Sequence, residues 1–234
     1  MIVSSPLTNN ISTVELSSDT YQLIQEGVEQ KRFKENEKFG FVPESVGTEQ
    51  TSAFLVIRTP TKIREFNPQT ENVEERTTDQ TDLIPFRVDF HSQLLEVFSN
   101  KEDVQKVELR LGQVANWDFS ISDSSLDLPR VYEKLQSTVD DIRFKSLKIK
   151  DYAISENARG TYHPQIFDQR EAARLVDKHQ DGLTYFAAEF RLGQDEVTVG
   201  FYRTGSVQIY NNTKNTGELL EVIKTSVMNG GSNA

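Results

Sequence analysis

The chain has 234 residues and a mass of 26.7 kDa, a length that suits one large domain or two small repeated units. Hydrophobic residues make up 36% and mean hydropathy is −0.54, no apolar run approaches the ~20 residues that span a bilayer, and the absence of cysteine excludes disulfides, thiolate nucleophiles and zinc sites containing Cys. A net charge of −10 and a pI of about 4.9 disfavour phosphate binding spread over the whole surface, although a local basic patch can operate on an acidic body.

Residues 1–16 are polar and read as an N-terminal tail or edge strand, with Met1 to Val3 as the candidate strand. The opening MIVSSPLTNN lacks a basic region and a long apolar stretch, so the expectation is a cytoplasmic protein without a membrane anchor. A first α+β repeat is expected over 17–113. Ser18 or Asp19 caps a predicted helix with Leu23, Ile24 and Val28 on one side, which Gly27 weakens. Lys31 to Lys38 reads as a solvated face leading into a loop around Gly40 and Pro43. Thr51 to Glu65 has the β-branched content of a strand, with Pro60 at a bulge, bend or edge. The stretch from Asn67 to Asp82 is poor in apolar residues and rich in carboxylates, and reads as an exposed polar strand pair or a mobile loop. In Ile84 to Phe98, Phe86, Val88 and Phe90 alternate with Arg87, Asp89 and His91; after a turn near Ser92-Gln93, Leu95 and Val97 rejoin the apolar face. Asn100 caps the next helix, whose stripe is Val104, Val107 and Leu111 and whose end is Gly112.

Residues 114–127 read as a linker of aspartates and serines, with Trp117 and Phe119 packed onto a neighbour, and 128–234 as a second α+β repeat whose residues 229–234 are a disordered tail. Asp127 and Pro129 open a helix predicted from Leu128 to Ile142. Arg143 to Ile154 is a strand with Leu147 and Ile149 facing one way and Lys148, Lys150 and Tyr152 the other. Asn157 to Pro164 reads as a loop. Asp168 and Glu171 form a capping box for a helix to His179, with Ala172, Leu175 and Val176 inward. Leu183 to Leu192, Val197 to Tyr202 and Val207 to Tyr210 complete a three-strand meander, turning at Gly193 to Asp195 and at Thr204-Gly205, and a last helix runs from Gly217 to Met228.

Two hairpins align: Phe86-Val88-Phe90 falls on Val197-Val199-Phe201, Leu95-Val97 on Val207-Ile209 and Asn100 on Asn212, each followed by an amphipathic helix. The fold class expected is therefore α+β, with two pseudo-repeated antiparallel β-sheets each packed on helices. The segment VTVGFYRTGSVQIYNNTKNTGELLEVIKTSV resembles the end of a TATA-box-binding-protein repeat: an apolar strand, a turn at Thr204-Gly205, a second strand with Val207 and Ile209, and a helix from Leu219 to Val227. The resemblance covers about thirty residues and implies a TBP-like or helix-grip type saddle whose open sheet face binds DNA. The chain departs from that pattern in placing Tyr210-Asn211-Asn212 where the family has glycine. It departs again in carrying Arg87, Asp89, His91, Glu96 and Phe98 at outward positions of the first half.

The three histidines lack metal-ligand spacing, carboxylate pairs such as Asp140-Asp141 arise by abundance, and no phosphate-cradling loop or serine-hydrolase elbow occurs, so no catalytic set, metal or cofactor is expected. The densest basic cluster is Arg143, Lys145, Lys148 and Lys150, interleaved with Phe144 and Tyr152; Arg203 extends it, and Tyr202, Gln208 and Tyr210 face outward beside it. These nine positions, Phe144 aside, are the expected nucleic-acid-binding residues of a non-enzymatic binding protein for DNA or RNA. Alternatives are an adaptor docking a protein partner through its acidic first half and, third, a metal-dependent hydrolase or nuclease.

Overall fold

The computed structural model describes residues 7–211 and 216–228, so the expectations placed on Met1 to Val3, Asn212 and 229–234 lie outside the described residues. The fold is α+β, with antiparallel strand pairs and five α-helices among those residues. The chain divides into a continuous unit, Val14–Ile121, and a split unit made of Met1–Thr13 and Ser122–Ala234. A polar tail was one expectation for residues 1–16; a nine-residue strand, β1 (Leu7–Glu15), forms there instead: Leu7, Asn9 and Ile11 are buried at every second position, with Leu7 and Asn9 opposite Ile209 and Val207. Among the described residues no helix is long and apolar enough to cross a membrane.

In the continuous unit, α1 (Ser18–Gln30) starts one residue earlier than predicted: the Ser17 hydroxyl accepts from the Thr20 amide. Gly27 does not interrupt it, and Ile24 and Val28 are buried as expected. A strand, β2 (Phe39–Val46), replaces the loop predicted around Gly40 and Pro43, because Phe41 is a core residue and pulls the chain into register with β3 (Gln50–Asn67). β3 pairs with β4 (Asn72–Asp89) rung for rung without a bulge, from Gln50 opposite Asp89 to Asn67 opposite Asn72. The proximal rungs carry Leu55, Ile84 and Phe86 into the core, whereas the distal rungs are the exposed polar strand pair. Pro60 sits on an edge: the Arg58 amide donates to Lys38, and two residues on, beyond the last β2 rung at Ile57, the same side of β3 has no strand among the described residues to receive an N–H.

β5 (Leu94–Val97) closes the hairpin, with Phe86 opposite Val97 and Val88 opposite Leu95. α2 (Lys101–Val114) is capped by Asn100, which accepts from the Asp103 amide. It continues past Gly112, against expectation, and the Trp117 ring lies over that glycine while remaining largely exposed. The outward residues of this hairpin also correct the sequence reading. Arg87, Asp89, Glu96 and Phe98 are buried rather than presented on an open face; His91 alone of the five is exposed. Arg87 Nε donates to Glu96 Oε2, with Nη2 in ion-pair contact with the same oxygen, and the guanidinium stands 5.9 Å from the Phe98 ring centre. Mutual neutralisation is what lets these charges leave water.

A short strand, β6 (Ser120–Asp123), forms in the expected linker. In the split unit, Asp127 caps α3 (Leu128–Thr138) and Pro129 sits in its first turn. The helix stops well before the predicted Ile142: Val139 is extended, and Ile142 belongs to β7 (Asp140–Ser155). β7 is irregular, with register shifts on both of its sides, so Phe144 and Leu147 both point inward although three residues apart. The predicted loop from Asn157 contains β8 (Ala158–Tyr162). α4 (Gln169–Lys178) is capped by Asp168, but Glu171 turns to Arg174 instead of back to the cap, so only half of the expected capping box is made. β9 (Leu183–Leu192), β10 (Asp195–Tyr202) and β11 (Ser206–Ile209) form the expected meander, followed by α5 (Thr216–Met228). Gly205 turns the β10–β11 hairpin at a φ of 81°, with the Ile11 and Ser124 carbonyl oxygens 2.7 and 2.9 Å from where a Cβ would stand. Stacked Phe186 and Phe201 rings, 5.0 Å apart, centre the core.

Candidate functional site

Residues directly opposite one another in an antiparallel pair share a face of the sheet. Val197, Val199, Phe201, Val207 and Ile209 are buried on the helix side, so Thr198, Gly200, Tyr202, Gln208 and Tyr210 take the other side. β9 places Tyr185 opposite Tyr202 and Ala187 opposite Gly200, and β7 places Lys148 opposite Tyr185. Three tyrosines therefore converge above Gly200.

The Tyr185 and Tyr210 hydroxyls are 2.8 Å apart, the Tyr185 and Tyr202 rings 4.6 Å apart and tilted, and the Tyr202 hydroxyl reaches Gln208 Oε1 at 3.5 Å. His163 meets the Tyr185 ring edge-on at 6.1 Å. Gly200 makes room for this cluster: a Cβ there would stand 2.7 Å from the Tyr185 ring and 3.1 Å from that of Tyr210. Asn211 fixes Tyr210 in place. Its side chain accepts from the Thr198 amide at 2.7 Å and donates to the Glu196 carbonyl at 2.6 Å, continuing the ladder one step past the end of β11.

Burial, then the neighbouring Tyr185 hydroxyl, pushes Tyr210 up to about 12; burial and then Tyr210 raise Tyr202. Both phenols are neutral around pH 7. Tyr185 is covered at 6% exposure, whereas Tyr210 retains 40% and Tyr202 is half-buried, so the face offers two accessible rings with hydrogen-bonding hydroxyls.

Beside this patch half of the basic cluster is neutralised. The Arg143 guanidinium bonds both Glu189 and Glu196, the latter at 2.7 Å, and Lys145 pairs with Glu189 at 3.1 Å. Donating a hydrogen bond to the Glu189 carboxylate raises Arg143. Burial pushes the Glu189 carboxyl up, but hydrogen bonds from Lys145 and Arg143 outweigh it and hold the carboxyl below its ordinary range. A cavity of about 340 Å³ opens next to this network, and its walls carry Asp141, Arg143, Arg191 and Glu196, two charges of each sign.

Of the expected binding residues, the structure brings Lys148, Tyr202, Gln208 and Tyr210 to one patch. Arg143 and Lys145 form the adjoining ion-pair network, and Lys150 is exposed further along β7. Tyr152 belongs to another ring cluster, 4.6 Å from Tyr162 and 5.0 Å from His179. Arg203 holds the end of β10 to the turn after α4, donating to the Gln180 and Asp181 carbonyls at 2.6 Å each. Tyr185 is the residue the sequence reading missed; Gly200 was placed on its strand and His163 in a loop, but neither was expected at this site. The signal for Tyr185 was present: it shares parity with Glu189 and Arg191, against Phe186, Ala188 and Phe190.

Among the described residues no group of three or more His, Asp or Glu is arranged to hold a metal ion. Compared with known proteins, the chain matches no protein-family model and no curated protein sequence. The chemistry of the patch therefore has to speak from its own geometry: stacking, hydrogen bonding and one flanking cation.

Proposed function

We propose that the protein is a non-enzymatic nucleic-acid-binding protein, and that DNA or RNA is met on the tyrosine face of the split unit through its bases more than its phosphates. The observation that carries this reading is the pair of accessible rings, Tyr202 and Tyr210, held in a hydrogen-bonded cluster with Lys148 alongside. A stacking platform of this kind contributes roughly 1–3 kcal/mol per base and tolerates sequence. It favours single strands, whose bases are free to stack.

Element order supports the TBP-like part of the reading. The continuous unit runs α1, β2 to β5, α2; the split unit runs α3, β7, β9 to β11, α5, with β8 and α4 as an insertion, and in each the four strands are neighbours in the same succession. We read the two units as copies of one α+β plan and the face as that of a TBP-like saddle sheet.

Fluorescence anisotropy with labelled single- and double-stranded DNA and RNA tests the proposal. Single strands bind in the micromolar range at low salt. With Arg143 and Lys145 engaged by carboxylates, about two phosphates are neutralised, so log K falls against log salt with a slope of only about −1.4 on single strands. Tyr202→Ala with Tyr210→Ala weakens binding by roughly 10- to 100-fold at any salt, and Lys148→Glu with Lys150→Glu removes the salt slope. Absence of binding at low salt overturns the proposal.

A further inference from the structure

Beyond that reading, and on the other unit, the distal β3–β4 ribbon has a surface that matches itself. From Arg58 opposite Thr81 to Asn67 opposite Asn72 the ribbon continues past the rungs that β2 and β5 pair with, and its residues are exposed or half-exposed. Two-stranded ribbons are marginal in water without a covering layer.

The side facing away from Leu55 and Ile84 carries the even-numbered residues of β3 and the odd-numbered residues of β4. At its tip Phe66 stands opposite Val73, 62% and 65% exposed; at its base Leu83 is 63% exposed, while Val56 opposite it is buried. Between these apolar ends the charges segregate by strand. β3 contributes Arg58, Lys62 and Arg64, and β4 contributes Glu75 and Asp79, cross-linked by Lys62–Glu75 at 2.6 Å and Arg58–Asp79 at 3.9 Å. One edge of the face is a cationic column and the other an anionic one.

We propose that this face is a self-association surface occupied by the same face of a second copy, with the two-fold axis parallel to the strands. That axis sets each β3 residue over the β4 residue of the corresponding rung in the partner. Cations then meet anions along the ladder, tip meets tip, and base meets base. An axis across the ribbon opposes the two cationic columns and puts apolar ends on each other's opposite ends, so it is disfavoured. A partner of a single charge sign would repel one column or the other, which is why a second copy fits better than an acidic or basic protein. At ~3.4 Å per rung and a width of ~10 Å, the face from Arg58 to Phe66 buries on the order of 500 Å² in total, the size of a weak, transient interface.

Sedimentation velocity of the full chain, from low micromolar to several hundred micromolar, tests this. The expected result is a reversible monomer–dimer equilibrium. Phe66→Ser weakens it roughly tenfold, and so does Lys62→Glu with Arg64→Glu; Thr78→Ser, on the opposite face, leaves it unchanged. Because the chain has no cysteine, a nitroxide on Gln69→Cys at the exposed ribbon turn reports orientation independently: the two tip labels give a short distance in the dimer. A monomer across the whole range overturns the proposal, as does a dimer indifferent to both ribbon variants or one whose tip labels are far apart.

Discussion

In the continuous unit, β4 and β5 turn Phe86, Val88, Leu95 and Val97 into a core; in the split unit, β10 and β11 do the same with Val197, Val199, Phe201, Val207 and Ile209. Their outward residues differ in kind and in fate. Arg87 and Glu96 are charged and buried, bonded to one another, whereas Tyr202, Gln208 and Tyr210 are uncharged and partly accessible. Polarity alone therefore does not tell which face of a strand meets water. A carboxylate and a guanidinium can be covered when they satisfy each other, and a tyrosine face can stay open because its hydroxyls are served by neighbouring hydroxyls and amides.

The sharpest way to break this comparison is to remove one charge from the covered face. Arg87→Met leaves Glu96 buried without its guanidinium and costs about 3–5 kcal/mol in urea unfolding, and adding Glu96→Leu restores much of it. Gln208→Met on the open face changes stability by less than about 0.5 kcal/mol. Recovery failing in the double variant would show that the pair also holds other groups.

The turns come next. In one hairpin the left-handed position belongs to Gln93, at a φ of 54°, whose side chain accepts from the Leu16 amide at 2.7 Å and donates to the Phe90 carbonyl at 2.8 Å. In the other it belongs to Gly205, hemmed by backbone carbonyls. Gly205→Ala costs about 1–3 kcal/mol in thermal or urea unfolding, since both conformation and space oppose a Cβ.

The smallest effect is electrostatic. Tyr210 titrates at about 12 in the folded chain against 10.0 for an ordinary phenol. Between those values the unfolded chain releases the proton while the folded one retains it, so the unfolded state binds fewer protons and stability falls as pH rises through that window. Tyr210→Phe flattens the slope of melting temperature against pH above 10 and leaves it unchanged near pH 7.

Much of the fold was legible because its signals are local. Asn100, Asp127 and Asp168 announce helix starts through their own side chains, the Thr204-Gly205 turn through a glycine, and the meander through a two-residue period. β2 and β8 were missed because loop-like composition, Gly40 with Pro43 and Asn157 with Gly160, competes with pairing partners that sit elsewhere in the chain. The helix expected to reach Ile142 failed for a related reason: apolar spacing continues across the end of α3, but the extended Val139 starts the strand that Phe186 and Ala188 require opposite them.

For the candidate site the division is equally physical. Sequence alone determined that Tyr202, Gln208 and Tyr210 share a side of their strands, because side-chain direction alternates with fixed period. It also determined the density of cations from Arg143 to Lys150. Only the tertiary structure decided that Glu189 and Glu196 neutralise two of those cations and that Tyr185 completes the ring cluster over Gly200. Such contacts join residues tens of positions apart, and they exist only once the sheet order has brought β7, β9 and β10 side by side.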